Sequence, residues 1–288
     1  GGGIKMSLLI QNLDFSYNRK SRVFAGFGVE FQGGINVLLG ANGSGKTTLF
    51  KILATVMEPK SGEISLNGTS FTAKDYRRRI SYIPQNFDVY PHVTVRRFLE
   101  FVGGVKYGYG KAKTREEIAR VSEVADISDF LDKKIGKLSG GMRQRVGIAQ
   151  AIIGDSALII ADEPTAGLDP EQRNKFNVIL KRITRDKIIL LSTHIIEDIS
   201  EYYDSIVIIS KGKITFKGDF KTLANSLNDR MVEFDVGIDD MGSIEKSCHI
   251  ISKDYRGETV TVKAVTETVG EGMARVTPTL TDIWTFYR

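Results

Sequence analysis

The stretch Gly40-Ala41-Asn42-Gly43-Ser44-Gly45-Lys46-Thr47 constrains this chain more than any other feature. It fits G-x-x-x-x-G-K-[ST], a pattern that average residue usage would produce in roughly one percent of chains of this length. The apolar run 35–39 stops at Gly40 and reads as a strand buried on both faces. Residues 47–56 read as a helix that ends ahead of Pro59. Strand, glycine turn and helix in that order form the setting in which such a loop cradles phosphate. Glycines let backbone N–H groups close around phosphate oxygens, and the helix N-terminus adds the positive end of its dipole. Gly40, Asn42, Gly43, Ser44, Gly45, Lys46, Thr47 and Thr48 are therefore candidate nucleotide-binding residues. Lys46 can reach the β- and γ-phosphates, and the Thr47 hydroxyl is a candidate Mg²⁺ ligand.

A second segment, Leu158-Ile159-Ile160-Ala161-Asp162-Glu163, puts two acids at the exit of a buried strand. Strand ends in open α/β sheets are where ligands bind. Asp162 is a candidate metal residue, and Glu163 a candidate general base for attack of water on a phosphate. Neighbouring residues on a strand face opposite sides, so the two acids can serve different tasks.

Leu8, Ile10, Leu13 and Phe15 alternate as in a half-buried strand, and 63–66 and 80–84 read as strands joined by a polar stretch containing Arg77, Arg78 and Arg79. From 94 to about 153 the pattern is helical, with a glycine-rich break between Gly103 and Gly110. Strands at 158–161, 188–191, 206–209 and 213–216 alternate with helices at 170–183 and 195–203. This order predicts an α/β core with parallel strands fed by crossover helices and one helical insertion. After Leu227, Val232, Phe234 and Val236 alternate, as do Val260, Val262 and Val265, and 280–287 is apolar and aromatic. Residues 228–288 thus read as a small α+β appendage.

The apolar runs are the length of buried strands and fall short of the roughly 18 residues that span a bilayer. Gly-Gly-Gly-Ile-Lys at the start lacks the apolar stretch of a secretory signal; residues 1–5 read as an expression remnant, with Met6 as the native start. The single cysteine, Cys248, excludes an internal disulfide and suits a reducing compartment. The net charge of +5 is small and its basic residues are scattered, so no nucleic-acid partner is expected. His92 and His249 match no motif and read as surface residues.

Leu138-Ser139-Gly140-Gly141, followed by Met142-Arg143-Gln144-Arg145, resembles the signature motif of ABC ATPases. Further segments resemble that family in its own order. Tyr17 resembles the aromatic that stacks on adenine, and Gln85 the Q-loop glutamine. Ala166-Gly167-Leu168-Asp169 resembles the D-loop, and His194 in Ser192-Thr193-His194 the switch histidine. The resemblance runs from about Leu8 to about Gly218. Residue by residue, plainer readings stay open: Ser139 as a helix N-cap, His194 as a helix start, Tyr17 as a solvent-facing strand residue, Gln85 as a polar strand end. Met142 stands where the family usually has glutamine, which puts one side-chain contact in question.

The resemblance implies a P-loop NTPase core of ABC type, a mixed sheet with a helical subdomain, over 6–227. The helical subdomain spans about 86–155, and 228–288 is accessory. It implies ATP and Mg²⁺ as cofactors and hydrolysis of ATP. Lys46, Gln85, Glu163 and His194 would be catalytic, with Thr47, Gln85 and Asp162 around the metal. Ser139, Gly140, Gly141 and Asp169 would act in trans, so a second ATP-binding subunit, identical or related, is implied. An integral membrane permease is the other implied partner. It would dock near 86–101, where Phe87, Tyr90 and Phe98 are either docking or core residues. That placement is cytoplasmic, peripheral on the inner face of the cell membrane. Thr277-Pro278-Thr279-Leu280-Thr281-Asp282-Ile283-Trp284 resembles the ending of bacterial ABC-2 export ATPases, which favours an exporter over an importer. The alternative is a non-transport ABC ATPase of cluster assembly or of ribosomes and nucleic acid.

Overall fold

Parallel strands buried on both faces organise the molecule. The computed structural model describes residues 6–72, 74–85 and 90–288; the expectations for residues 1–5, Asn86 and Phe87 lie outside them. Strands β1 (Ser7–Ser16), β2 (Arg22–Gln32) and β3 (Gly34–Leu39) lead into helix α1 (Lys46–Leu53). Then come β4 (Ser61–Leu66), β5 (Thr69–Ser70), α2 (Lys74–Arg79) and β6 (Ile80–Ile83). Three helices follow, α3 (Val95–Tyr107), α4 (Lys111–Val124) and α5 (Gly140–Ile152). The chain re-enters the sheet through β7 (Leu158–Ala161), α6 (Pro170–Ile183), β8 (Ile188–Thr193), β9 (Ser205–Ser210) and β10 (Lys213–Gly218). It ends with α7 (Phe220–Asn225), β11 (Met231–Gly237), α8 (Met241–Ser247), β12 (His249–Arg256), β13 (Thr259–Val265), β14 (Ala274–Arg275) and α9 (Leu280–Tyr287).

The central sheet runs β10-β9-β3-β8-β7-β6, parallel except for β10. Because β8 lies between β3 and β7, the loops leaving these three strands emerge side by side. That places the phosphate-loop segment after β3, His194 after β8 and Asp162 after β7 at one edge of the sheet. Every residue of β7 and β8 is buried, as the continuous apolar runs require. An antiparallel sheet, β2-β1-β4-β5, packs over one face, with Leu8, Ile10 and Phe31 in a core shared with Leu49, Phe50 and Ile52 of α1. On the opposite face, Leu99 of α3, Val121 of α4 and Val146 of α5 join the larger core with Ile35, Val37 and Ile189.

Among the elements that differ from their sequence expectation are α3 and the segment 195–203. Gly103 and Gly104 lie inside α3, which continues to Tyr107 and ends at Gly108, where φ is +67°. A Cβ on Gly103 would stand 3.4 Å from Thr114 of α4, so the glycine lets α3 and α4 approach closely. Residues 195–203 hold only a single 3-10 turn, Ile196–Asp198. Ile196 and Ile199 anchor it in the core, and the Asp198 side chain turns inward to Thr165 and Thr193.

Beyond α7, strands order β12-β13-β11-β14 around a small cluster of Val232, Phe234, Met241, Val260, Val262 and Ala264. Helix α9 then returns to the larger core with Ile283 and Trp284. Ser210 and Thr215 donate hydrogen bonds to the last two carbonyls, those of Arg288 and Tyr287. Among the described residues, no helix is long and apolar enough to cross a membrane.

Candidate functional site

Where β3 ends, two glycines shape the loop. A Cβ on Gly40 would lie 2.5 Å from Ser44 Oγ and 2.7 Å from the Ile209 carbonyl, so only glycine fits there. Gly45, at φ +111°, turns the chain into α1, which starts with no side-chain cap. The first-turn N–H groups of α1 are thus left for another acceptor. Lys46 is 4% exposed and folds its ammonium back on the loop, 2.6 Å from the Gly40 carbonyl and 3.2 Å from that of Ala41. Burial pushes this ammonium below the ordinary lysine value, an effect the Glu163 and Asp162 carboxylates oppose. The Tyr17 hydroxyl meets Thr48 Oγ1 at 2.9 Å while its ring stays half exposed at the rim.

Glu163 is the point of convergence. Its Oε2 accepts a hydrogen bond of 2.9 Å from Gln85 Nε2. Its Oε1 lies 3.0 Å from His194 Nδ1, without the alignment of a hydrogen bond, and 3.9 Å from Lys46 Nζ. The Glu163 backbone sits at φ +47°, left-handed for a residue with a side chain. Asp162, 1% exposed, accepts a 2.6 Å hydrogen bond from Ser192 Oγ, and that same oxygen accepts from the Glu163 N–H at 2.8 Å. Ser192 thereby fixes both acids. In the sequence its one signal is its place at the head of the Ser192-Thr193-His194 segment.

The residues fit a magnesium nucleotide. Ser44 Oγ is buried with no hydrogen-bond partner among the described residues, at the mouth of an uncapped helix. Thr47, Asp162 and Gln85 offer hard oxygens of the kind Mg²⁺ takes when it shares phosphate ligands.

The predicted trans-acting residues lie elsewhere. Ser139 caps α5, accepting from the Met142 N–H, and Asp169 caps α6, accepting from the Gln172 N–H. A Cβ on Gly141 would come within 2.9 Å of Gln172, and one on Gly140 within 4.0 Å of Leu168. Ser139, Gly140 and Asp169, all exposed, therefore form one group with the half-buried Gly141, and no hydrogen bond among the described residues links them to the phosphate loop. Met142 packs against the larger core. Of the residues considered for docking, Tyr90 is two-thirds exposed and Phe98 is buried, so Phe98 is chiefly a core residue. Both line a groove of about 520 Å³ with Val93, Phe101 and the charged Arg97 and Glu100, most of its surface being apolar.

The family model "ABC transporter" matches residues 30–166. A Bacillus subtilis ABC transporter ATP-binding protein, YxlF, is 38% identical over 65% of this chain and 62% of its own. The molybdate/tungstate import ATP-binding protein WtpC of Archaeoglobus fulgidus is 33% identical over 69% of this chain and 82% of its own. The chain belongs to the ABC transporter ATP-binding proteins. Within that family, the Nod factor export ATP-binding protein I of Burkholderia orbicola is 33% identical over 70% of this chain and 64% of its own. The match with YxlF thus spans less than two thirds of that relative. A solved ATP-binding subunit of an ABC transporter superposes on 76% of the chain, covering 92% of its own, with a TM-score of 0.65 at 29% identity. The family model's match ends at residue 166, while the matches with WtpC and with the Nod factor export protein, over 69% and 70% of the chain, extend past His194.

Proposed function

We propose that this chain binds ATP with Mg²⁺ and hydrolyses it as one of two ATP-binding subunits that drive an ABC transporter, on the inner face of a membrane. The convergence of Gln85, His194 and Lys46 on Glu163, beside the phosphate-loop segment, is the observation that carries this reading. The loop N–H groups and Lys46 would hold the phosphates, and the Tyr17 ring at the rim would support the base. Thr47, Asp162 and Gln85 would hold Mg²⁺, which when bound neutralises charge on the phosphate oxygens. Glu163, with one oxygen held by Gln85, is placed to orient a water and take its proton. His194 is placed to stabilise charge on the phosphoryl group. Ser139, Gly140, Gly141 and Asp169 would complete the site of a second subunit. The groove at Tyr90 and Phe101 suits an apolar segment of a permease. The ending Pro278-Thr279-Leu280-Thr281-Asp282 favours export, and the relatives include ATPases named for both directions.

The test is purification of the tagged chain, wild type and Glu163→Gln, from detergent-solubilised membranes of its source. A stoichiometric multi-span protein is expected in both preparations. Turnover is expected to fall roughly 10² to 10⁴-fold in the variant, the usual contribution of a general base, with nucleotide binding kept. Normal turnover would remove Glu163 from the chemistry. Soluble partners alone would move the chain to the non-transport ATPases.

A further inference from the structure

One buried carboxylate near this site has no part in holding phosphate or metal. Asp198 is 9% exposed and lies in the 3-10 turn four residues after His194. Its Oδ2 accepts from Thr165 Oγ1 at 2.9 Å and from Thr193 Oγ1 at 3.3 Å, while Oδ1 pairs with Arg173 Nη1. Thr165 lies two residues beyond Glu163, and Thr193 immediately precedes His194. Arg173 in turn donates through Nε to the Leu168 carbonyl at 3.0 Å, next to Asp169. Thr193 Oγ1 also accepts from the Ile195 N–H at 3.1 Å, on the other side of His194. A single carboxylate therefore ties together the chain leaving Glu163, the segment carrying Asp169 and both neighbours of His194. Behind it, Ile196 and Ile199 sit in the same core as Ile283 and Trp284 of α9.

A buried charge is costly to desolvate, and removing one member of such a network leaves the others unpaired. Purely apolar packing would hold the turn down as well, but it would not fix the two loops relative to each other. His194 needs such a fix: its side chain is 39% exposed and its Nδ1 stands 3.0 Å from Glu163 Oε1, with no hydrogen bond among the described residues to hold it there.

Building on the proposed hydrolytic role of Glu163 and His194, we propose that Asp198 is a positioning residue that holds the His194 segment and the 163–169 loop in mutual register. Turnover then depends on it, while ATP binding at the phosphate loop does not. Small errors in the placement of reacting groups cost large factors in rate.

The test is a double-mutant cycle on the full chain, measuring kcat and KM for ATP in wild type, Asp198→Asn, His194→Ala and the double variant. Asparagine keeps the size of the side chain and one oxygen for the threonines, but loses the charge opposite Arg173. Asp198→Asn is expected to lower kcat about tenfold with KM within about twofold. In the His194→Ala background it should cause no further loss, because it acts through that histidine. Losses that multiply in full would mark a general structural effect and overturn the proposal, as would an unchanged kcat in Asp198→Asn beside a depressed His194→Ala. Full turnover in His194→Ala would instead sink the reading on which the proposal rests. Should Asp198→Asn fail to fold, Thr165→Val removes one hydroxyl at nearly constant volume; a several-fold fall in kcat that vanishes without His194 is expected, and an unchanged kcat would again overturn the proposal.

Discussion

At the scale of single residues, Glu163 is one of eight described non-glycine residues with a left-handed φ, and the one of them placed among the site residues. A left-handed φ at a residue with a side chain costs of order 1–3 kcal/mol and persists only where its surroundings enforce it. At Glu163 the Ser192 hydroxyl, bonded to the Glu163 N–H, is the enforcing group. Lys106 is unusual in a different way, through its burial. Its ammonium donates to the Ile80 carbonyl, Ser81 and Ser156 at 2.6, 2.8 and 3.2 Å, and burial pushes it down to about 8. In the unfolded chain a lysine keeps its proton up to its ordinary value near 10.5. Between these values the unfolded state binds more protons, so stability rises with pH across that window. Wild type should therefore gain about 1 to 2 kcal/mol on Lys106→Met between pH 7.5 and 9.5. Urea unfolding of both proteins at the two values checks this, and parallel behaviour would place the Lys106 titration outside the window. Lys46, Asp162 and Glu163 were legible in the sequence because their types and spacing are tied to phosphate chemistry. Ser192 and Asp198 were not, since a strand serine and a loop aspartate gain meaning only from what β8 and the 196–198 turn bring beside them.

Helix starts were the most readable elements. Asp169-Pro170 marks the beginning of α6, with aspartate as cap and proline in the first turn. Strand β2 escaped the sequence reading: Gly26, at φ +67°, interrupts its alternation, so Phe24 and the pair Phe27 and Val29 fall out of a simple period of two. Helix α9 was visible only as an apolar, aromatic stretch; its Thr279–Asp282 capping box and its return to the larger core needed the fold. At the start of α5, Ser139 serves the element itself, and in the proposed function it serves a second subunit too. The two roles separate by substitution. Ser139→Ala should lower stability by about 1 kcal/mol through loss of the cap, whereas Ser139→Asn should keep it. Turnover should fall in both variants, because neither presents a serine hydroxyl to the partner's site. Denaturation and ATPase assays read the two effects apart, and full turnover in Ser139→Asn would leave Ser139 with the cap alone.

For the whole molecule, the decisive property is that its predicted site residues fall into two groups. One surrounds Glu163 and the phosphate loop; the other surrounds Ser139 and Asp169. If each group supplies half of a site, two chains paired head to tail form two sites, each with one group from either chain. Mixing then makes a sharp prediction. A Lys46→Ala chain has a defective phosphate loop and a sound Ser139 group, and a Ser139→Ala chain has the reverse. Each alone should be nearly inactive, since every site in its dimers carries a defect. In a mixed dimer both defects fall in one site and the other is intact. With random pairing at equal concentrations, half of the dimers are mixed, so roughly a quarter of wild-type turnover per chain should return on mixing if sites act independently. Strict coupling between the two sites would keep the mixture silent. Nucleotide-dependent dimerisation by light scattering, run on the same mixture, therefore accompanies the assay. Mixed dimers that form and hydrolyse establish a site shared between chains. Activity in either variant alone, with the chain monomeric under ATP, would place the complete site within a single chain.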